Sequence, residues 1–164
     1  MGLREMIATA RGQTPADLVL KNASLVNVFS EEVYRTDIAI QAHTIVGLGE
    51  YEGKETIDLQ GRFAMPGFID GHVHVESTML PIPEYARAVV PQGTTTIIID
   101  PHEIANVMGI DGVKLMLASS KSTPLGVFAV LPSCVPASPF ETSGATLEAY
   151  DLNGLLEKRR VVGM

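Results

Sequence analysis

Two histidines, His72 and His74, stand two residues apart near the end of an apolar run that begins at Phe68. Side chains of a β-strand alternate between its two faces, so residues at i and i+2 project together. Two neutral imidazoles on one face can supply two ligands to a divalent cation such as zinc. The spacing therefore predicts a metal site. The alternative is a pair of solvated or hydrogen-bonded histidines that closes a strand.

Acidic residues flank this pair on both sides. Asp70 precedes His72 and shares its predicted strand face, so it either steers a histidine by hydrogen bonding or forms a turn before Gly71. Glu76 follows His74, and it lies either in the site or in a solvated loop. Both readings stay open for each residue.

A second cluster of titratable residues follows the apolar run TTTIIID, which we predict to be a buried strand. Its members are Asp100, His102 and Glu103. Three such side chains at the end of a strand favour a metal-supporting or substrate-contacting role. The alternative is a turn at Asp100 followed by a helix whose N-terminus Glu103 stabilises.

The elements that position these residues change in character near Arg62. Residues 2–11 have apolar side chains at helical spacing and predict a short helix. Short alternating runs between Asp17 and Arg62 predict about five strands with no helix between them, and hence a small antiparallel sheet.

Beyond Arg62 the predicted strands alternate with helices. The predicted strands are FAMPGFID, TTTIIID, LGVFAVLPS and VVG, and the helices between them include one interrupted at Gly109 and Gly112. This alternation predicts right-handed parallel βαβ units, in which active sites form at the C-terminal edge of the strands. Both titratable clusters are expected at that edge. Because the chain ends at Met164 while entering a strand, we interpret it as the N-terminal part of a longer protein.

Composition excludes several classes of partner. The formal charge of −7 argues against a nucleic acid, whose binding proteins carry a basic surface. No apolar run approaches the roughly 20 residues that span a bilayer, so no membrane association is predicted. Cys134 is the single cysteine, which excludes an intrachain disulfide and favours a cytoplasmic location.

The segment MPGFIDGHVH resembles the opening signature of the amidohydrolase superfamily. Within that superfamily, the segments HVHVESTML, GTTTIIIDPHEIANVMG and LPSCVPASPFETSGA resemble, in the same order, segments of prokaryotic-type adenine deaminases. Three separate segments make a chance resemblance improbable.

The resemblance implies an α/β fold in two parts. Residues 1–62 would form an N-terminal helix and part of a small β-sandwich, and residues 63–164 would begin a metal-dependent (β/α)8 TIM-type barrel. His72 and His74 would be metal ligands from the first strand. Supporting or substrate-contacting roles would fall among Asp70, Glu76, Asp100, His102 and Glu103. The remaining ligands and the general base would lie beyond Met164.

The implied activity is hydrolytic deamination of adenine to hypoxanthine and ammonia, in purine salvage. It would need a divalent metal, a binuclear Mn²⁺ or Fe²⁺ centre with Zn²⁺ as an alternative, because such a metal lowers the pKa of water toward neutrality. The purine would be the small-molecule partner, and the complete enzyme a homo-oligomer, while this segment alone would be inactive. Two alternatives remain: another amidohydrolase, such as a cyclic amidase or dihydroorotase-like enzyme, and a non-catalytic scaffold.

Overall fold

The computed structural model describes residues 2–164, and the chain divides into two compact units, one that ends at Pro66 and one that begins at Gly67. In its described part, the first unit contains one helix and five strands: α1 (Leu3–Ala10), β1 (Ala16–Asn27), β2 (Glu32–Gln41), β3 (Thr44–Leu48), β4 (Gly53–Asp58) and β5 (Phe63–Ala64). The predicted short helix and the count of about five strands are both confirmed.

The strands of the first unit form one mixed sheet rather than the antiparallel sheet that we predicted. Their order is β3-β2-β1-β4, and β5 also pairs with β1. β2 runs antiparallel to β1 and β3, whereas β4 and β5 run parallel to β1. The prediction was wrong because the short connections along the chain suggested that each strand pairs with the next one as a hairpin. Instead of pairing with β3, β4 pairs in parallel with β1 on the edge that β2 leaves free.

The predicted strand FAMPGFID is in fact two strands that belong to different sheets. Phe63 and Ala64 form β5 and pair with β1, whereas Phe68 begins the next sheet. Pro66 lies between the two and has no N–H to donate to a strand ladder, which accounts for the break. The observed boundary between the two units therefore lies after Pro66, a few residues beyond the predicted boundary after Arg62.

The second unit alternates strands with helices. Its main elements are β6 (Phe68–Val73), α2 (Ile82–Val89), β7 (Thr94–Ile99), α3 (His102–Ser119), β8 (Gly126–Val130), α4 (Ala149–Leu156) and β9 (Val161–Gly163), with short 3₁₀ turns at Val75–Thr78, Val90–Gln92 and Ser120–Ser122. The strands form a parallel sheet in the order β6-β7-β8-β9. The predicted succession of parallel βα units is confirmed.

The core of the second unit lies where alternate strand residues meet the helices. Ile97 and Ile99 of β7 are fully buried and pack with Val127 of β8, Ile82 of α2 and Met116 of α3. Ile98, which points to the other face of the sheet, is only half-buried. The prediction that TTTIIID forms a buried strand therefore holds for one face of β7 in the described unit.

The helix α3 is kinked near its middle. Gly109 has φ 60° and ψ −143°, a conformation that glycine adopts and residues with a Cβ avoid. Gly112, the second predicted interruption, stays helical, and a Cβ there would come within 2.7 Å of the carbonyl oxygen of Ile104. Only one of the two glycines thus interrupts the helix. Across residues 2–164, no helix combines the length and apolar character that a membrane span requires.

Candidate metal centre

The candidate site lies at the C-terminal edge of the parallel sheet, where β6 and β7 end side by side. The backbone amide of Asp100 donates a hydrogen bond to the carbonyl oxygen of Val73 at 3.0 Å, which continues the strand pairing past the end of β7. His74 follows Val73 and leads into the 3₁₀ turn Val75–Thr78. Both predicted clusters therefore reach the same edge.

The two histidine rings lie close together at the end of β6. Their Nε2 atoms are 3.1 Å apart, and their ring centroids are 4.9 Å apart with the ring planes inclined at 76°. His74 lies one residue beyond β6, but the extended backbone at this position keeps it on the side of His72. The side chains therefore converge, as their spacing predicts.

Asp100 completes a group of three metal-ligating side chains. One ligand atom from each of His72, His74 and Asp100 lies within 4.8 Å of the other two. The Oδ1 atom of Asp100 is buried and has no hydrogen-bond partner within residues 2–164. An unpaired buried carboxylate oxygen is costly, and a bound cation would satisfy it.

The spacing of the histidine nitrogens also fits a shared cation. Two nitrogens about 2.1 Å from one zinc ion and 3.1 Å apart would subtend about 95° at the ion, somewhat less than the tetrahedral angle of about 109°. The same distance suits a single N–H···N hydrogen bond, but that bond would leave the buried Oδ1 of Asp100 without a partner among residues 2–164. The donor set, two imidazoles and one carboxylate, is therefore suited to a divalent cation.

Glu103 contacts this group from the first turn of α3. Its Oε2 lies 3.1 Å from Nδ1 of His74, and its Oε1 accepts a hydrogen bond from the Ser77 hydroxyl at 2.8 Å. Burial alone would raise the pKa of Glu103, but the Ser77 hydroxyl, the Glu103 backbone amide and the His74 ring outweigh it and hold that pKa below its ordinary value. Glu103 is therefore ionised at neutral pH.

Glu76 is a second half-buried carboxylate near the histidines. Its Oε1 accepts a hydrogen bond from the backbone amide of Ile104 at 3.3 Å, and its Oε2 is buried without a partner in the described chain. Burial raises the pKa of Glu76, and the negative charge of Glu103 raises it further. The hydrogen bond from the Ile104 amide lowers this pKa but does not outweigh the increase. Of the two readings left open for Glu76, the structure places it beside the site rather than in a solvated loop.

Asp70 and His102 are further predicted residues that lie outside this group of three. The Oδ1 of Asp70 accepts a hydrogen bond from the backbone amide of His72 at 3.2 Å, so Asp70 holds the strand end rather than a histidine ring. His102 begins α3 and is half-buried, and its ring makes no hydrogen bond among residues 2–164. The ligand atoms that converge belong to other residues.

Ser77 is the contact that sequence reasoning missed. It is an exposed residue of the 3₁₀ turn, and its backbone amide bonds to the carbonyl oxygen of His74 at 3.2 Å. That turn places the Ser77 hydroxyl against Glu103, which is 26 residues away along the chain. A serine in HVHVEST carries no signal of this pairing, because the pairing depends on how α3 packs beside the turn.

Comparison with known proteins identifies the family to which these residues belong. A family model described as the amidohydrolase family matches residues 63–162, which include every residue of the group above. The chain belongs to the amidohydrolase family. The resemblance read from MPGFIDGHVH is thereby confirmed.

Several curated amidohydrolase relatives are similar along nearly the whole chain. The adenine deaminase of Clostridium acetobutylicum is 56% identical over 99% of this chain, and that of Geobacillus kaustophilus is 53% identical over 99%. The adenine deaminase of Archaeoglobus fulgidus is 49% identical over 99%. The chain spans only 28% of the length of the first two relatives and 29% of the third.

A solved structure supports the fold of this amidohydrolase chain. The N-acyl-D-glutamate deacylase of Bordetella bronchiseptica, solved with zinc and a phosphonate inhibitor, superposes with a TM-score of 0.57. The superposition covers 72% of this chain and 30% of that one, at 19% identity. At that identity the similarity concerns the fold alone, and it agrees with the predicted α/β class and the start of a TIM-type barrel.

Proposed function

We propose that this chain supplies the first ligands of a metal centre that deaminates adenine to hypoxanthine and ammonia. The observation that carries the proposal is the convergence of His72, His74 and Asp100, with a buried carboxylate oxygen that no residue of the described chain satisfies. The relatives named adenine deaminase, at 49–56% identity, support adenine as the substrate. Since they are much longer than this chain, the activity is proposed for the complete natural protein.

His72, His74 and Asp100 would hold the metal through two neutral nitrogens and one anionic oxygen. A bound divalent cation would acidify a water molecule and supply hydroxide near neutral pH. In the net reaction, the water oxygen bonds to the purine carbon that carries the exocyclic amine. The C–N bond to that amine breaks, and the nitrogen leaves as ammonia after it takes up a proton.

The identity of the metal forms a finer part of the proposal. We assign a binuclear Mn²⁺ or Fe²⁺ centre to the complete protein, with Zn²⁺ as the alternative. Imidazole and carboxylate ligands suit all three ions, so the donor set supports a divalent metal without selecting among them. The metal that restores the highest turnover in the metal-free protein would decide the assignment.

The decisive experiment measures ammonia release from adenine by the complete natural protein after it is loaded with Mn²⁺, Fe²⁺ or Zn²⁺. Turnover is expected in the wild type, with its loss in His72→Ala. His43→Ala is the matched control, because His43 lies exposed in a turn of the first unit and should leave turnover unchanged. A metal-loaded protein that ignores adenine but hydrolyses a cyclic amide would replace this proposal with another amidohydrolase activity.

A further inference from the structure

Glu103 uses both of its carboxylate oxygens on side chains from the turn after β6. One oxygen lies 3.1 Å from Nδ1 of His74, and the other accepts the Ser77 hydroxyl hydrogen at 2.8 Å. Ser77 and His74 belong to the same turn, whereas Glu103 lies in α3. The carboxylate is therefore held at the Nδ1 edge of the His74 ring, whereas the Nε2 edge faces His72.

This contact determines which nitrogen of His74 carries the proton. A carboxylate oxygen can only accept a hydrogen bond, so Nδ1 of His74 must be the donor. In the neutral ring, Nε2 then keeps its lone pair, and that atom is the one that lies 3.1 Å from Nε2 of His72. Only this tautomer offers Nε2 as a metal ligand in the observed orientation.

A simpler reading is that Glu103 only stabilises the first turn of α3, as acidic residues do near a helix N-terminus. That role would need neither Ser77 nor a particular position of the carboxylate. It would change the stability of α3 without changing how tightly the protein binds a metal. The two readings therefore differ in a measurable quantity.

We propose that Glu103, held by Ser77, is a positioning residue that fixes the tautomer and ring orientation of His74 for metal binding. The inference rests on the metal centre proposed above, and it assigns Glu103 no contact with the substrate. Partners that orient a ligating histidine typically contribute about 10–100-fold to metal affinity. We expect an effect of that size here.

The test measures the dissociation constant for Co²⁺ of the complete natural protein by competition with a chromophoric chelator. Glu103→Ala is expected to weaken binding by about 10–100-fold at unchanged stoichiometry. Glu103→Gln should be intermediate, because its amide oxygen can still accept from Nδ1, and Ser77→Ala should have a smaller effect. The visible spectrum of bound Co²⁺ should change in Glu103→Ala, since a reoriented imidazole alters the ligand field.

Glu84→Gln provides the matched control, because Glu84 is an exposed acid in the first turn of α2 whose side chain pairs with Arg87. It should leave both the affinity and the spectrum unchanged. An unchanged Co²⁺ affinity in folded Glu103→Ala, with only a lower melting temperature, would overturn the inference in favour of helix stabilisation. Loss of a whole equivalent of Co²⁺ at saturation would also overturn it, since Glu103 would then be a ligand itself.

The same measurements separate this inference from the proposed activity. If the wild type binds Co²⁺ and Glu103→Ala weakens that binding, the positioning role stands even where adenine is not turned over. If the wild type binds no divalent metal, the positioning role fails together with the metal centre. Ser77→Ala removes only an exposed hydroxyl. Its Co²⁺ affinity therefore tests the inference even if the Glu103 variants fold poorly.

Discussion

The backbone amide of Asp100 is hydrogen-bonded to the carbonyl oxygen of Val73 at 3.0 Å, and this bond joins the ends of two neighbouring parallel strands. It places the Asp100 side chain beside the histidine that follows Val73. Asp100 directly follows β7, and this backbone bond ties it to the end of the neighbouring strand. A ligand anchored in this way is positioned before the cation arrives, which favours binding.

Asp100→Asn is expected to weaken divalent metal binding by at least about tenfold, because it removes the negative charge while it keeps the side-chain volume. The measurement is the metal content of the complete protein after dialysis against a weak chelator. Asp111→Asn is the control, since Asp111 is an exposed residue of α3 that pairs with Lys114. Full retention of metal by Asp100→Asn would show that Asp100 is not a ligand.

The two histidines should act as a unit. His72→Ala and His74→Ala are each expected to lower kcat/KM for adenine by at least about a hundredfold. This loss should exceed the one caused by removing a residue that only hydrogen-bonds to a metal ligand, which is about 10–100-fold. The double variant should lose little more than either single variant, since residues of one site are strongly non-additive. Steady-state ammonia release measures all three.

An additive double variant would contradict a shared cation, because independent losses would mean that each histidine acts alone. Metal content measured on the same samples provides the control. A variant that keeps its metal but loses activity would place that histidine against the substrate instead.

Much of the second unit could be predicted from local pattern. The strand-like runs around Ile97 and Val127 and the predicted helical segment between them have the lengths of βα units, and the structure contains those units. The pairing of β1 with β4 could not be predicted, since strand direction depends on which edge a later strand joins. Pro66 signals a break, because proline cannot donate a hydrogen bond to a strand ladder. The apolar residues on both sides of Pro66 nevertheless favoured the prediction of one continuous strand.

Some contacts in the candidate site could likewise be predicted from the sequence, and others could not. The convergence of His72 and His74 follows from the two-residue period of a strand, and the arrival of Asp100 at the same edge follows from parallel pairing. The contact between Glu103 and His74 depends on the packing of α3 against the turn after β6. A contact between residues 29 positions apart leaves no trace in local spacing.

A charged contact in the first unit should make its stability depend on pH. The Asp37 carboxylate binds Lys21 Nζ at 2.8 Å and accepts a hydrogen bond from the Asn22 backbone amide at 2.9 Å. Burial would raise the pKa of Asp37, but the hydrogen bonds from Lys21 and Asn22 and the charge of Lys21 outweigh it and lower that pKa.

Because the folded pKa of Asp37 lies below the unfolded one, the unfolded state binds more protons between these two values. The stabilisation is therefore complete above the ordinary pKa near 3.8 and is lost as the pH falls through the folded value. Asp37→Asn should lower the free energy of unfolding at pH 7 by about 1 kcal/mol, allowing for the partial exposure of Lys21. It should also reduce the acid dependence below pH 4.

Thermal unfolding at pH 7 and pH 3 measures this effect. Asp111→Asn is again a suitable control, since its side chain is 75% exposed and should change neither value. A loss in Asp37→Asn that is equal at both pH values would contradict the assigned role of the carboxylate charge.

The kink in α3 provides a prediction about backbone conformation. Gly109→Ala would place a Cβ at a residue with φ 60° and ψ −143°, and that Cβ would lie 3.2 Å from the Cβ of Ala145. Backbone strain of this kind costs about 1–3 kcal/mol. We expect Gly109→Ala to lower the melting temperature of the protein, as measured by differential scanning calorimetry.

Gly154→Ala is the matched substitution, because Gly154 lies inside the helix α4 and an added Cβ would meet nothing within 4 Å. Alanine in an exposed helix interior is favoured over glycine by about 0.5–1 kcal/mol, so the melting temperature should rise. The two glycine-to-alanine changes should therefore act in opposite directions. An increase for both would mean that residue 109 can adopt a helical conformation and that the kink is not required by the packing of Ala145.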